Sequence, residues 1–385
     1  TLGGPHAFAD VRRSTITGAD VIVLSGERNA TIAVVDSTLT GAVVASVFSS
    51  AVGVSLTISN STLIATRYAA SVVGATIRDV AIVVTDSRLT LVGADNVGIV
   101  ALAAATVLNA AVNVTTSSAT CKAGNYVGVL GAGSGGTVAW TNVTVSAALS
   151  DVTSTAGDYV GVLGAGTNVG VSWTNVTVSA ALGNVTSTAS RSVGVLGAGS
   201  GSGVIWSKVT VSAALAKVTS TTRDYVGLLG TGSGRSVTWT NVTVSAALAN
   251  ITSTATGYGA GILGVGSNDG VTWTNVTVSA ALANVTSTAG IYVGMLGAGS
   301  SGAMTWTNVT VSASLANVTS TARDAVGILG AGSFSAVTWT NVTVSASLAN
   351  VTSTARDAVG VLGAGSRGAV TWTNVTVSAA LANVT

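Results

Sequence analysis

The chain ends on Trp372-Thr373-Asn374-Val375-Thr376-Val377-Ser378-Ala379-Ala380-Leu381-Ala382-Asn383-Val384-Thr385, and seven close copies of this stretch precede it. All eight tryptophans mark the copies: Trp140, Trp173, Trp206, Trp239, Trp273, Trp306, Trp339 and Trp372. Neighbours lie 33 residues apart, except Trp239 and Trp273, which are 34 apart. A fixed period of this size is the signature of a solenoid, in which each unit touches only its neighbours. The 385 residues therefore bury one long thin core rather than two or three round ones.

Each unit reads as three short strands. Val370 to Ala379 is the first, Asn350-Val351-Thr352-Ser353-Thr354 the second, and Ala358-Val359-Gly360-Val361-Leu362 the third, with Gly363-Ala364-Gly365-Ser366 following as a turn. β-Branched residues dominate and no helical period is present. Variation falls in two zones. One follows Ser-Thr-Ala (Gly157-Asp158-Tyr159, Arg223-Asp224-Tyr225, Arg356-Asp357-Ala358) and the other follows Gly-Ala-Gly-Ser (Asn268-Asp269-Gly270, Arg367-Gly368). Both hold turn-forming residues, and the one-residue insertion near Thr256-Gly257-Tyr258 also falls in the first zone. The expected fold is all-β, a parallel β-helix (β-solenoid) with one 33-residue repeat per coil. A two-layer solenoid and an array of β-sandwiches are the alternatives.

Before the regular array of residues 121–385, residues 29–120 hold divergent coils without the tryptophan. Their strands, such as Thr31 to Leu39, Leu56 to Leu63 and Ala81 to Leu89, recur at irregular spacing. Residues 1–28, with Gly3-Gly4-Pro5 and the charged Arg12, Arg13, Glu27 and Arg28, read as an irregular lead-in segment or N-terminal cap. Pro5 is the only proline, which suits an unbroken hydrogen-bonded ladder.

Strand alternation assigns the faces. Thr373, Val375, Val377, Ala379 and Leu381 form the set expected to face the core. Trp372, Asn374, Thr376 and Ser378 form the outward set, with the side taken by Trp372 depending on whether the chain bends after it. The two Asn positions of each unit are replaced by Lys208 and Lys217 in one unit, and the second by Asp151 in another. An isolated buried charge costs several kcal/mol, so both Asn columns are expected in solvent.

Those columns carry the motif with chemistry. Sixteen Asn-x-Thr acceptors for N-linked sugars are present: Asn29, Asn60, Asn113, Asn142, Asn175, Asn184, Asn241, Asn250, Asn275, Asn284, Asn308, Asn317, Asn341, Asn350, Asn374 and Asn383. Such acceptors must be exposed. The structural alternative is that Asn-Val-Thr is simply a good strand-and-turn tripeptide copied by duplication. Each tryptophan precedes the first Asn by two residues, so the eight rings serve either as sugar-stacking platforms or as a core ladder.

Charged residues make up only 7% and net charge is +2. No basic stripe for nucleic acid exists. The longest apolar stretch, Val97 to Leu108, falls short of the about 20 residues of a transmembrane helix, so no such span is expected in this chain. Covalent glycans are the expected source of solubility. Cys121 has no partner for an internal disulfide and is either buried or available to another chain.

Gly131 to Gly136, Gly297 to Gly302 and Gly363 to Gly368 match G-x-G-x-x-G. A strand follows them where a dinucleotide site needs a helix, so they read as turns. His6 is the only histidine, and the acidic residues are scattered one per coil. No catalytic, cofactor or metal site is expected, and the chain reads as a non-enzyme. Thr371-Trp372-Thr373 gives a repeated T-x-T pattern like that of ice-binding faces, but Thr373 is placed opposite the solvent-facing Asn.

The Asn-Val-Thr-Val strands combined with Val-Gly-Val-Leu-Gly resemble large repetitive surface glycoproteins of kinetoplastid flagellates, of the dispersed-gene-family type. The resemblance covers most of the chain and rests on low-complexity motifs. It implies a secreted or surface-anchored β-helix without enzymatic activity. The cysteine-rich parts and membrane spans of full-length members are missing, which leaves anchoring open. The expectation is an extracellular or cell-surface structural rod. It stacks end to end with copies of itself, an idea prompted by the late coils' near identity and the stop at Thr385. The alternative is an adhesin or recognition module that binds through the variable turns.

Overall fold

The computed structural model describes residues 7–18, 20–25, 29–48, 52–92, 96–124, 126–128, 132–134, 137–163, 165–167, 169–333 and 335–385. Every regular element is a strand. All pairings are parallel and join each coil to the next, so the chain is a β-solenoid.

A regular coil opens with a long strand, for example Val171–Thr188. Its burial does not alternate without a break. Val171 and Trp173 point inward, then Val176, Val178, Ala180 and Leu182, then Val185 and Ser187. The inward phase slips by one residue at Thr174-Asn175 and again at Gly183-Asn184. The strand is therefore a wall of three flat faces joined at two corners. The sequence-based division into separate first and second strands is replaced by this continuous, twice-bent wall.

The first corner is made by a left-handed residue. Asn142, Asn175, Asn241, Asn275, Asn308, Asn341 and Asn374 all have φ between 52° and 55°. Asn tolerates this region because its short amide bonds locally, whereas most side chains clash there. One αL residue turns the chain and reverses the inside–outside phase after it. Unbroken alternation misplaces both Trp372 and Thr373 for this reason. Indoles 140 to 339 are fully buried, and the residue after each, a threonine except for Ser207, lies on the outer side of the wall. The threonines of Thr-Trp-Thr thus share the outer surface with Asn instead of opposing it.

Buried tryptophans stack directly on one another along the rod. Ring centroids are 4.6–5.1 Å apart from Trp140 to Trp339, with planes within 7°. Trp372, in the final coil, stacks on Trp339 at 5.5 Å and is 49% exposed. None of the seven buried Nε1 groups has a hydrogen-bond partner. An unpaired buried donor costs about 1–3 kcal/mol. Burying an indole removes about 200 Å² from water, which contributes roughly 5 kcal/mol at the usual area coefficient. Burial wins.

After the wall the chain turns inward. In the coil that follows Val171–Thr188, Ser192–Gly194 and Ala198–Ser200 form two short strands bent around Val195-Leu196-Gly197. Every residue from Ser192 to Ser200 is buried. The Ala-Gly-Ser segments stack as their own eight-stranded sheet. The Gly-Ala-Gly-Ser reading as a turn is corrected here: its centre is an internal strand. Glycine permits this because backbone packs on backbone. A Cβ on Gly199 would lie 2.6 Å from the Val193 carbonyl oxygen, and one on Gly264 would run into the carbonyl of Gly297. The bend reaches the tryptophans, since the Trp372 ring is 3.4 Å from where a Cβ on Gly363 would sit. The hairpin thereby fills the space that three thin walls leave open.

Earlier coils are shorter. Register partners advance by 23 residues from Phe8 to Thr31, then by 24 to Ser55, 26 to Ala81, 30 to Ala111 and 33 to Thr144. Phe8–Arg12 is already paired with Thr31–Val35. The expected irregular lead-in is therefore, over its described part, a first coil; Gly3-Gly4-Pro5 and Glu27-Arg28 lie outside the described residues. Thirteen passes of the second face are connected by these pairings. Twelve intervals of about 4.8 Å give a rod of about 58 Å. Cys121 is buried, and burial pushes its thiol well above the ordinary range. Among the described residues, no helix is long and apolar enough to cross a membrane.

Candidate functional site: the asparagine corners and the variable edge

Two surface features have chemistry, and both follow from the coil geometry. The first is the corner column of αL residues. Register extends it through Asn29, Gly53, Asp79, Asn109, Asn142, Asn175, Lys208, Asn241, Asn275, Asn308, Asn341 and Asn374, all with φ of 52–68°. Only Lys208 departs from the residue types that adopt αL readily. Asn109 belongs to no glycosylation acceptor, and neither do Gly53 or Asp79. The corner thus accounts for the residue type whether or not a Thr follows two places on.

Side chains in this column are exposed but bonded. Nδ2 of each Asn donates to the side-chain oxygen one coil below: Asn109 to Asp79 at 2.9 Å, Asn142 to Asn109 at 2.9 Å, Asn175 to Asn142 at 2.8 Å. The ladder stops at Lys208 and resumes from Asn275 to Asn241 at 2.9 Å. The second corner repeats the pattern from Asn284, which donates to Asn250 at 3.1 Å, up to Asn383, which donates to Asn350 at 2.9 Å. Asn184 donates to Asp151 at 2.8 Å. Expectations of a solvent-facing column and of a stacked amide column thus describe the same residues. Asn60 sits at a corner and donates to Asp36 at 2.8 Å. Asn113 is exposed on the second face beside Ser146.

The second feature is one edge of the rod. The inward hairpin leaves and rejoins the wall at neighbouring points, so it brings the two variable zones together. Sequence reasoning found both zones but not their adjacency; the uniformly apolar run between them was the available signal. Tyr225 Oη lies 3.0 Å from where a Cβ on Gly234 would sit. Ser301 hydrogen-bonds to Tyr292, and Arg367 pairs with Asp357. Ion pairs cluster here: Arg191 with Asp158 at 3.4 Å, Arg223 with Asp224 at 2.9 Å, and Arg323 and Arg356 with Asp324 at 2.9 and 3.0 Å. Tyr225 stacks on Tyr258 at 5.2 Å. Burial, with carboxylates nearby, pushes the Tyr225 phenol well above its ordinary value.

Comparison with protein-family models, with curated proteins and with solved structures finds no match. The functional reading therefore rests on the geometry of these two surfaces.

Proposed function

We propose that the chain is a structural rod of the cell exterior, non-enzymatic, that bears N-linked sugars on its corner asparagines and joins end to end with copies of itself. The observation that carries this reading is the in-register repetition of coils. Each regular coil presents to the next the same residues that it receives from the one before. An unpaired sheet edge that repeats this pattern is a template for another chain carrying a regular coil, which supports the assembly. The outer faces are columns of Thr, Ser and Ala with few charges, and such a surface needs another source of solubility. Exposed corner carboxamides in Asn-x-Thr acceptors supply attachment points for it. The resemblance to kinetoplastid surface glycoproteins implies the same role.

Geometry limits the sugars. Corner asparagines of successive coils are one inter-strand spacing apart, about 4.8 Å, too close for two glycans side by side. Asn29, Asn60, Asn113 and Asn184 have no acceptor directly above or below, Asn142 and Asn175 are adjacent, and each corner carries one run of five, 241–374 and 250–383. Alternate occupancy of the runs allows at most eleven of the sixteen acceptors. The test is intact mass of the secreted protein before and after enzymatic removal of N-glycans, with imaging of the same sample. No mass change removes the sugar reading, and monodisperse short particles without axial contacts remove the assembly.

A second reading is favoured by the shared edge. Most sequence variation of the regular coils falls in these two zones on one edge of the rod, which is the arrangement of a recognition surface on a scaffold. Binding that maps to this edge and survives deglycosylation would establish it.

A further inference from the structure

The third face of the wall is tiled with threonine. Past the second corner the regular strands read Thr-Ser-Thr, with the serine inward and both threonines on the outer side. Register stacks them without a slip in seven successive coils, from Thr153 and Thr155 on Thr186 and Thr188 up to Thr352 and Thr354. None of these threonines is buried. The sugar-acceptor tripeptide does not account for them. Thr153 and Thr219 persist where the residue two places earlier is Asp151 or Lys217, and the column from Thr155 to Thr354 has no Asn at that spacing. The first face also carries Thr-Trp-Thr on its outer side, but below Thr238 that column reads Ile205, Ser172 and Ala139. The third face is therefore the longer unbroken array.

We propose that this face binds crystalline ice. Its threonines repeat about every 4.8 Å along the rod and about 6.6 Å across it. Water oxygens on a prism face of ice form a rectangular net with closely similar repeats. The protein net must also be flat. Neighbouring strands of an ordinary sheet are rotated by about 20–25°, whereas successive tryptophan planes here differ by only 2–8°. Each coil is thus nearly a pure translation of the one before, and the threonine columns run straight for about 29 Å, six inter-strand spacings. A β-branched side chain is stiff at χ1, so methyl and hydroxyl are already positioned and adsorption costs little ordering. The hydroxyls both donate and accept, which lets them join the water net, and the methyls fill the space between. No charged side chain interrupts the array, since every outward residue of this face in these coils is threonine. A two-dimensional repeat of this kind matches a lattice rather than a sugar or a protein surface, neither of which recurs at both spacings. The inference depends neither on the rod's glycosylation nor on its assembly.

The test uses the full chain produced in bacteria, free of N-linked sugars. It measures thermal hysteresis by nanolitre osmometry and partition of the protein into slowly grown ice. A freezing-point gap with faceted crystals, and enrichment in the ice, are expected. Thr254→Tyr stands a ring on the centre of the face and should reduce the gap at least fivefold. Thr286→Lys, in the adjoining coil, should act likewise. Thr240→Tyr lies on the first face of the same strand as Thr254 and should leave the gap unchanged. All three positions are unburied, and the near-ultraviolet signal of the tryptophan stack reports whether each variant is folded. No gap and no partition by the parent chain, an undiminished gap in either folded third-face variant, or an equal loss in folded Thr240→Tyr overturns the proposal.

Discussion

Lys208 is the one residue of the first corner column whose side chain suits neither the backbone nor the ladder, and Lys208→Asn should stabilise the rod. Its φ of 55° matches that of the asparagines above and below. A left-handed conformation costs an ordinary L-residue about 1–2 kcal/mol, and Asn recovers about 1 kcal/mol of that by local bonding. The substitution also closes the gap between Asn175 and Asn241, restoring two ladder hydrogen bonds; exposed bonds of this kind contribute about 0.5 kcal/mol each, the low end of the range. The expected gain is about 2 kcal/mol, or roughly 30-fold in the local unfolding equilibrium. Lys208→Gly separates the two causes. It relieves φ but adds backbone entropy to the unfolded chain, about 0.5–1 kcal/mol, and makes no ladder bond, so its net effect should be near zero. Urea unfolding followed by tryptophan fluorescence is the assay, because Trp206 lies two residues before the substitution in the stacked core. Bacterial expression is required, since Lys208→Asn completes a new Asn-x-Thr acceptor with Val209 and Thr210. If Lys208→Asn is no more stable than Lys208→Gly, the amide ladder contributes nothing and the corner is explained by φ alone.

Trp273→Ala removes a ring stacked on both sides at 4.9 and 4.6 Å and should cost about 3–5 kcal/mol, the range for large aromatic truncations, read by the same urea assay. Gly264→Ala places a methyl against the Gly297 backbone; a rigid carbonyl cannot yield as a side chain can, so soluble folded yield should fall sharply, while that of Gly363→Ala, whose added methyl meets only the Trp372 ring at 3.4 Å, should fall less. The Tyr225 phenol is raised above the ordinary 10.0 by burial, so the folded state resists its ionisation. Its contribution is complete below pH 10 and is lost as pH rises through the folded value. In an alkaline titration of tyrosinate absorbance, Tyr225→Phe should remove a late-ionising phase, and an unchanged late phase would refute the assignment.

Much of the coil is legible in the sequence because the period and the apolar–polar pattern record burial directly. The Lys and Asp substitutions in the Asn columns give the solvent side. What alternation cannot show is a single αL residue reversing phase. Trp140 and Val143 are both inward at an odd separation across Asn142, as are Leu248 and Ile251 across Asn250. An odd step between two apolar residues that spans an Asn, Asp or Lys exception is the signal that marks such a corner. The inward hairpin is hidden differently: Val-Gly-Val-Leu-Gly-Ala-Gly-Ser has no alternation because it is buried on both faces, the usual reason for a continuous apolar strand. Glycine there suggests turn chemistry, whereas it reflects close backbone approach.

The gathered variation along one edge has a consequence for folding. A core built of near-identical coils cannot count: a segment that skipped one period would find the same Trp, Val and Leu partners waiting for it. Repeat proteins fold by propagation from neighbour to neighbour, so such a skip would go unpunished inside. The edge is where order is written. Tyr225 meets Tyr258, Arg356 bridges back to Asp324, and Ser154 and the other wall residues offer no comparable distinction. A misthreaded array would keep its core and forfeit these pairs, which makes the edge the numbering of a stack whose interior is blind to sequence.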